Sequence, residues 1–422
     1  MLVGFSDTML TGWYLSRDHL AAVNLMTYAI WLLLNLFVFI TIGATALVAR
    51  FTGARHPDMA SRVANQAVLL GVAFAVPATL VGLLLGRNLV GAMQLSGEAA
   101  SLALSYWKIM MLCVPAIMMI SVGVACLRGA GDTVSGLAIM AIVNVVNVAL
   151  SWSLMLGWGP LPELGWNGIA WGTCTGYLVG GVLMVLLLAR GRAGLKLRPV
   201  DLRPDRHLMW RMLRIGIPGG VDVSAIIICQ MWYLALVNGL GSLAAAAHGV
   251  AIRIESIAYL PGTGFQVAAG TLAGQHLGAG DRKGANRSVI LATIVGLIVI
   301  SAGGVVLYTA ANPLARMFLR PEEYEVARTA APLLQTVALV MPALALMMIL
   351  TGALRGAGDT RWPLLFTLIG FLAVRIPATY ALTEWWTLGV QGAWYAMAID
   401  IVVRCLLVMY RFWHGGWSRV EV

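Results

Sequence analysis

Twelve apolar stretches, separated by short polar segments, run through almost the whole of this 422-residue sequence. A helix needs about 20 residues to cross the hydrocarbon core of a membrane, and every stretch except the first reaches that length. The stretches lie approximately at residues 1–15, 21–49, 64–86, 101–126, 135–157, 166–190, 211–238, 244–274, 287–311, 328–352, 362–383 and 390–412. We therefore predict an all-α, polytopic membrane protein with twelve transmembrane helices.

The charge of the chain fits this prediction. Only 11% of the residues are charged, whereas a soluble domain typically carries about 25%. The formal net charge is +10, which by itself could indicate binding to nucleic acid. With the twelve crossings as drawn, however, nineteen Lys and Arg fall on one side and five on the other. By the positive-inside rule this asymmetry places both termini in the cytoplasm. We predict a bacterial inner (plasma) membrane protein that does not bind nucleic acid.

An internal repeat divides the chain into halves. The heptapeptide Leu-Arg-Gly-Ala-Gly-Asp-Thr occurs at 127–133 and again, letter for letter, at 354–360. Weaker matches keep nearly the same offset through both halves. An even number of helices per half inserts both copies in the same orientation, as in transporters built from parallel repeats. We predict a six-helix bundle at 1–190, a cytoplasmic linker at 191–210 and a second six-helix bundle at 211–422.

Aligned with the second copy, Met1 corresponds to Ile226, although the matching helix begins near Arg211. We therefore expect the first helix to lack roughly fifteen residues at its start, either because the start codon is misassigned or because this half is shortened. The repeat does not distinguish the two.

Several motifs, in order and spacing, resemble the multidrug and toxic compound extrusion (MATE) family along essentially the whole chain. They are Ser6-Asp7-Thr8, Leu20-Ala21-Ala22, the two heptapeptides, Gly216-Ile217-Pro218, and the segments 261–265, 274–280 and 411–417. The resemblance implies two six-helix bundles around a cavity that opens alternately to each side of the membrane. It also implies a secondary active antiporter that exports cationic or amphipathic drug-like compounds in exchange for H⁺ or Na⁺, without a cofactor. We expect small-molecule substrates, a lipid environment and a monomer.

Acidic residues inside apolar spans are the first candidates for a functional site, because a charge in hydrocarbon costs about 2.5–3.5 kcal/mol even on a lenient scale. Four such acids are Asp7, Asp222, Glu255 and Asp400. A carboxylate that faces a cavity can bind a proton or a small cation. We expect Asp7, Asp222 and Glu255 to serve in ion coupling or substrate binding.

The resemblance adds neutral partners for Asp7. It implies that Asn147 and Thr173 supply oxygen ligands at the same coupling site, so Asp7, Asn147 and Thr173 form a candidate Na⁺ site. Hard cations prefer oxygen ligands. Family members often carry Asp or Asn where this chain has Ser151, so we include Ser151 and expect no second carboxylate there. A purely structural role in helix–helix hydrogen bonding is the alternative for Asn147 and Thr173.

Other charged groups are expected to be structural. Asp400 and Arg404 are four residues apart on one helix, a spacing that favours an ion pair. Arg375, just before Pro377, is expected to be an anchor at the membrane interface. The two heptapeptides are expected to be tight turns in which Asp-Thr caps the following helix.

Three other functions fit the sequence less well. A lipid-linked precursor flippase would line its cavity with several Arg or Lys to hold pyrophosphate, and here Arg253 and Arg375 are the main internal bases. A channel would need a selectivity loop. An enzyme would need a catalytic cluster, but the six His are scattered and the five Cys are isolated in apolar stretches.

Overall fold

The computed structural model describes residues 2–92, 97–158, 162–319 and 323–420. Within these ranges the chain is α-helical with short turns and contains no strand. Contacts divide the chain into two compact units. Unit 1 comprises residues 1–48 and 56–214, and unit 2 comprises residues 49–55 and 215–422.

The helices up to the unit boundary at Arg214 are α1 (Leu2–Tyr14), α2 (Arg17–Leu36), α3 (Val38–Gly53), α4 (Pro57–Ala92), α5 (Gly97–Leu112), α6 (Val114–Gly129), α7 (Thr133–Leu156) and α8 (Trp166–Ala189), with α9 (Arg206–Gly239) beginning just before it. The helices that follow α9 are α10 (Ser242–Gly278), α11 (Arg282–Thr309), α12 (Ala311–Met317), α13 (Tyr324–Gly356), α14 (Arg361–Trp385) and α15 (Gly389–His414).

Among the described residues, nine helices are each long and apolar enough to cross a membrane, and the bent pair α5–α6 meets the same criteria when its two helices are taken as one span. The two remaining predicted crossings correspond to the short α1 and to α2 together with α3. The chain is therefore a multi-pass membrane protein, as its sequence predicts.

Two of the predicted crossings are broken helices. Stretch 21–49 is interrupted at Phe37, whose N–H bonds to the carbonyl of Leu34 in a tight 3₁₀-type turn. Stretch 101–126 bends by 55° at Cys113. Pro115 stands in the first turn after that bend, where the missing N–H of proline prevents the helix from continuing straight.

Helix α14 is also irregular, since residues 369–375 and 381–385 are wound as π-helix. Pro377 lies between these turns and has no N–H to donate. A wider turn is a common way to accommodate such a break, and π-turns often occur at functional sites. The first of them carries Arg375.

The segment expected to be a cytoplasmic linker is held firmly on unit 1. It forms two short 3₁₀ turns, Arg192–Gly194 and Pro199–Leu202. Buried polar residues of α4 bond its backbone: the Asn65 amide donates to the carbonyl of Lys196 at 2.8 Å, and the Gln66 amide donates to the carbonyls of Asp201 and Arg203 at 2.7 Å. The segment therefore has a fixed position on the end of the bundle.

Candidate functional site

Helices α7 and α8 pack unusually closely, and this contact builds the first site. Glycines at four-residue spacing on α8 face α7. A Cβ at Gly168 would lie 2.6 Å from the carbonyl carbon of Leu154, and one at Gly172 would overlap Ser151. Small residues at this spacing let two membrane helices approach backbone to backbone. The approach brings Thr173 of α8 within reach of Asn147 of α7.

Asp7 of α1 lies at the centre of this site and is 2% exposed. Its Oδ1 accepts a hydrogen bond from the Asn147 Nδ2 at 3.1 Å. Its Oδ2 accepts from the Thr173 hydroxyl at 2.8 Å and from the Tyr106 hydroxyl at 2.8 Å. Helices α1, α5, α7 and α8 therefore meet at one carboxylate.

Asn147 is the hub of the remaining bonds. Its amide nitrogen also donates to the Thr173 hydroxyl at 2.7 Å and lies 3.3 Å from the hydroxyl of Ser151. Its Oδ1 accepts from the hydroxyl of Ser6 at 2.9 Å. Four residues singled out from the sequence, Asp7, Asn147, Ser151 and Thr173, thus form one network.

Tyr106 is the member of this network that the sequence analysis missed. It is 1% exposed, and its ring packs against the ring of Trp166 with centroids 5.4 Å apart. A tyrosine in the middle of an apolar span was the available signal, because a buried phenol needs a hydrogen-bond partner.

Asp222 and Glu255 belong to unit 2, in two different places. Asp222 of α9 forms an ion pair with Arg355, which ends α13 and is the arginine of the second heptapeptide. Asp222 is 1% exposed. Within the described chain its Oδ1 and the Nε of Arg355 have no hydrogen-bond partner, so each member of the pair keeps one unbonded polar atom.

A cavity of about 240 Å³ adjoins this ion pair. Besides the pair itself it is lined by the polar residues Gln266, Thr351, Thr367 and Arg404 and by apolar side chains. The apolar members are Val223, Ile226, Met347, Met348, Pro363, Phe366 and Val408. Ligand pockets commonly combine a mostly apolar wall with a few polar groups, and paired methionines adapt to ligands of different shape.

Glu255 of α10 lies near a second buried charge cluster. It is 7% exposed, and its Oε2 has no hydrogen-bond partner among the described residues. Its charge interacts with that of Arg375 on α14. Arg375 in turn lies with its Nε 3.0 Å from the Oδ2 of Asp400.

Asp400 confirms one structural prediction and helps to overturn another. Arg404 bonds both of its oxygens, at 2.8 and 2.7 Å, as the four-residue spacing predicts. The expectation that Arg375 anchors the chain at the membrane interface is wrong. Arg375 is only 2% exposed. Its guanidinium forms an ion pair with Asp400 and lies 4.9 Å from the centroid of the Phe371 ring.

The two identical heptapeptides make different contacts. Asp132 caps α7 by accepting from the Ser135 N–H at 2.9 Å, and it also pairs with Arg192. Asp359 does not cap α14; it accepts from the Arg411 Nε at 2.9 Å. Desolvation would raise the pKa of Asp132, but the bonds from Ser135 and Arg192 outweigh it and lower the pKa. Burial raises the pKa of Asp359.

The MatE family model matches residues 1–153 and 218–381 of this chain, which is well over half of it. The chain therefore belongs to the MatE family, the multidrug and toxic compound extrusion transporters.

Curated relatives align over nearly the full length. The probable multidrug resistance protein NorM of Thermotoga maritima is 27% identical over 100% of this chain and 90% of its own. The probable multidrug resistance protein YoeA of Bacillus subtilis is 22% identical over 98% of this chain and 89% of its own. The fold is likewise that of a crystal structure of MATE in the bent conformation, with a TM-score of 0.91 at 20% identity over 99% of this chain and 92% of the other.

Proposed function

We propose that this transporter is a bacterial plasma-membrane antiporter that exports cationic or amphipathic compounds in exchange for protons, with Asp7 as the proton-binding group. The relatives named for multidrug resistance support export of such compounds. The arrangement around Asp7 supports the proton as the coupling ion.

The carboxylate of Asp7 has about four acceptor positions. Three of them are filled, two on Oδ2 by Thr173 and Tyr106 and one on Oδ1 by Asn147. The remaining position on Oδ1 can take one proton without displacing any donor. Sodium would need several oxygens at once, whereas Asn147 presents its nitrogen to Asp7 and its oxygen to Ser6. This difference is the observation that favours the proton.

Asp222 and Glu255, at two separate places in unit 2, are the acids that we propose to bind substrate. Asp222 and Glu255 each keep an unpartnered oxygen in the described structure, and Asp222 adjoins the methionine-lined cavity. A substrate with a cationic end and an apolar body would satisfy both features. Export is coupled to proton entry if protonation at Asp7 lowers the affinity for substrate, because such coupling is reciprocal.

Flippase activity on lipid-linked precursors is less well supported. It would require free basic groups for pyrophosphate. Arg375 and Arg404 both lie on Asp400, and Arg355 lies on Asp222. Each of these three arginines of unit 2 therefore already contacts a carboxylate, and two of them share Asp400.

The test is transport in proteoliposomes with proton and sodium gradients imposed separately and a fluorescent organic cation as substrate. We expect the proton gradient alone to drive transport in the wild type, and Asp7→Asn to abolish it while expression stays intact. Asp18→Asn, at an exposed acid of α2, is the matched control and should transport normally. Transport driven by sodium alone, or retained in Asp7→Asn, would overturn the proposal.

A further inference from the structure

A groove of about 720 Å³ runs between the ends of α7 and α8 in unit 1, away from the Asp7 site. Its walls are mostly apolar and include Ala138, Ile142, Leu183 and Leu187, and its polar side chains are those of Ser135, Arg190 and Arg192. We propose that this groove binds one anionic phospholipid, with an acyl chain along the apolar wall and the phosphate on the two arginines.

The walls of the groove lie on helices that cross the membrane, so its natural occupant comes from the bilayer. Helices α7 and α8 are both long and apolar enough to span the hydrocarbon core. The apolar faces beside the groove stay exposed, as Leu137 (71%) and Val182 (59%) show. In a membrane such faces contact acyl chains rather than water.

The arginines lie where a headgroup would be. Arg190 directly follows the last residue of α8, and Arg192 opens the 3₁₀ turn beyond it. Both belong to the basic segment that the positive-inside rule places at the cytoplasmic surface. The bonds from α4 fix the backbone of this segment beyond the two arginines, at Lys196, Asp201 and Arg203.

The charge balance favours an anionic lipid over a zwitterionic one. Arg192 bonds the carboxylate of Asp132 at 2.7 Å, yet its side chain remains 56% exposed. Arg190 is exposed and makes no ion pair or hydrogen bond to another described side chain. Two arginines and one carboxylate leave one positive charge, which one phosphodiester neutralises. Phosphatidylethanolamine would bring its own ammonium group and leave that charge uncompensated.

The test is native mass spectrometry of the full-length protein, titrated with phosphatidylglycerol or with phosphatidylethanolamine of the same acyl chains. We expect the wild type to retain one phosphatidylglycerol at concentrations where phosphatidylethanolamine is lost. Arg190→Gln should weaken retention about fivefold, as expected for one basic residue at a membrane surface. Arg203→Gln removes the same charge from an exposed position in the same segment and should change retention by less than twofold.

A second variant tests the apolar part of the site. Ala138→Phe narrows the groove and leaves both arginines in place, so it should also weaken retention of the lipid while the melting temperature stays near that of the wild type. Three results would overturn the proposal: equal effects of Arg190→Gln and Arg203→Gln, full retention in Ala138→Phe, or equal retention of the two lipids. Displacement of the lipid by millimolar inorganic phosphate alone would instead assign the arginines to a free anion.

Discussion

The hydroxyl of Tyr106 donates a hydrogen bond of 2.8 Å to the Oδ2 of Asp7, across a sequence separation of 99 residues. Both residues are buried. This bond ties the short α1 to α5, and it identifies Tyr106 as part of the environment that decides what Asp7 can bind.

The bond between Tyr106 and Asp7 should show as a coupling energy in a double-mutant cycle. Tyr106→Phe removes one of three donors to a buried carboxylate, and a hydrogen bond to a charged group contributes about 1.5–3 kcal/mol. We expect Tyr106→Phe to destabilise the protein by that amount in the wild-type background and by much less in Asp7→Asn. Denaturation in detergent measures all four variants. Additive effects would show that the bond contributes no such energy.

Ser151 should control whether the site responds to sodium. Its hydroxyl lies 3.3 Å from the amide nitrogen of Asn147, so Ser151→Asp places a second carboxylate beside Asp7. Because two carboxylates sharing a site favour a bound cation, we expect Na⁺ to raise the melting temperature of Ser151→Asp but not of the wild type. Ser151→Asn matches the added volume without the charge and should show no response to Na⁺. A wild type that is stabilised by Na⁺ to the same extent would contradict this prediction.

The close approach of α7 and α8 should depend on Gly172. Since a Cβ there would overlap Ser151, Gly172→Val must push the helices apart and stretch the bond between Asn147 and Thr173. Overpacking of this kind costs about 1–3 kcal/mol, and we expect transport to be lost with it. Gly91→Ala is the control, because a Cβ at Gly91 meets nothing within 4 Å. The measurements are the melting temperature and the transport rate of both variants. Equal values for Gly172→Val and Gly91→Ala would contradict the prediction.

Asp400 and Glu255 are both buried acids, but removing Asp400 should reduce stability, whereas removing Glu255 should reduce transport. Asp400→Asn leaves Arg375 and Arg404 without their shared counter-ion, and breaking a buried ion pair costs about 3–5 kcal/mol. We expect Asp400→Asn to express poorly or melt early. Glu255→Gln removes a carboxylate that has one unpartnered oxygen, so it should fold normally and transport organic cations weakly. If Glu255→Gln transports like the wild type, Glu255 is not part of the substrate site.

Much of the architecture could be predicted because membrane helices follow a simple physical rule. The length of the apolar stretches predicted the crossings, and the heptapeptide repeat predicted two halves. Pro115 fits the bend at Cys113. The break at Phe37 could not be placed from the sequence, because no proline or glycine precedes it in that stretch. It depends on local backbone bonding that only the folded chain shows.

The site around Asp7 was mostly predictable and the charged groups of unit 2 were less so. Asp7, Asn147, Ser151 and Thr173 were named from motif positions, and the structure brings them together. Tyr106 escaped notice because its role depends on which helix faces α1. The prediction for Arg375 was wrong for a similar reason. Sequence spacing pairs Asp400 with Arg404 on one helix, but it cannot show that Arg375 of α14 also contacts Asp400.

The two copies of the heptapeptide have different roles: Asp132 caps α7, whereas Asp359 pairs with Arg411. The identical sequences indicate a common origin, whereas the residues around each copy determine what its aspartate does. Equivalent substitutions in the two loops are therefore different experiments. A change at Asp132 tests the start of α7, and a change at Asp359 tests the contact with the last turn of α15. The two copies share a sequence, and each side chain has to be studied in its own surroundings.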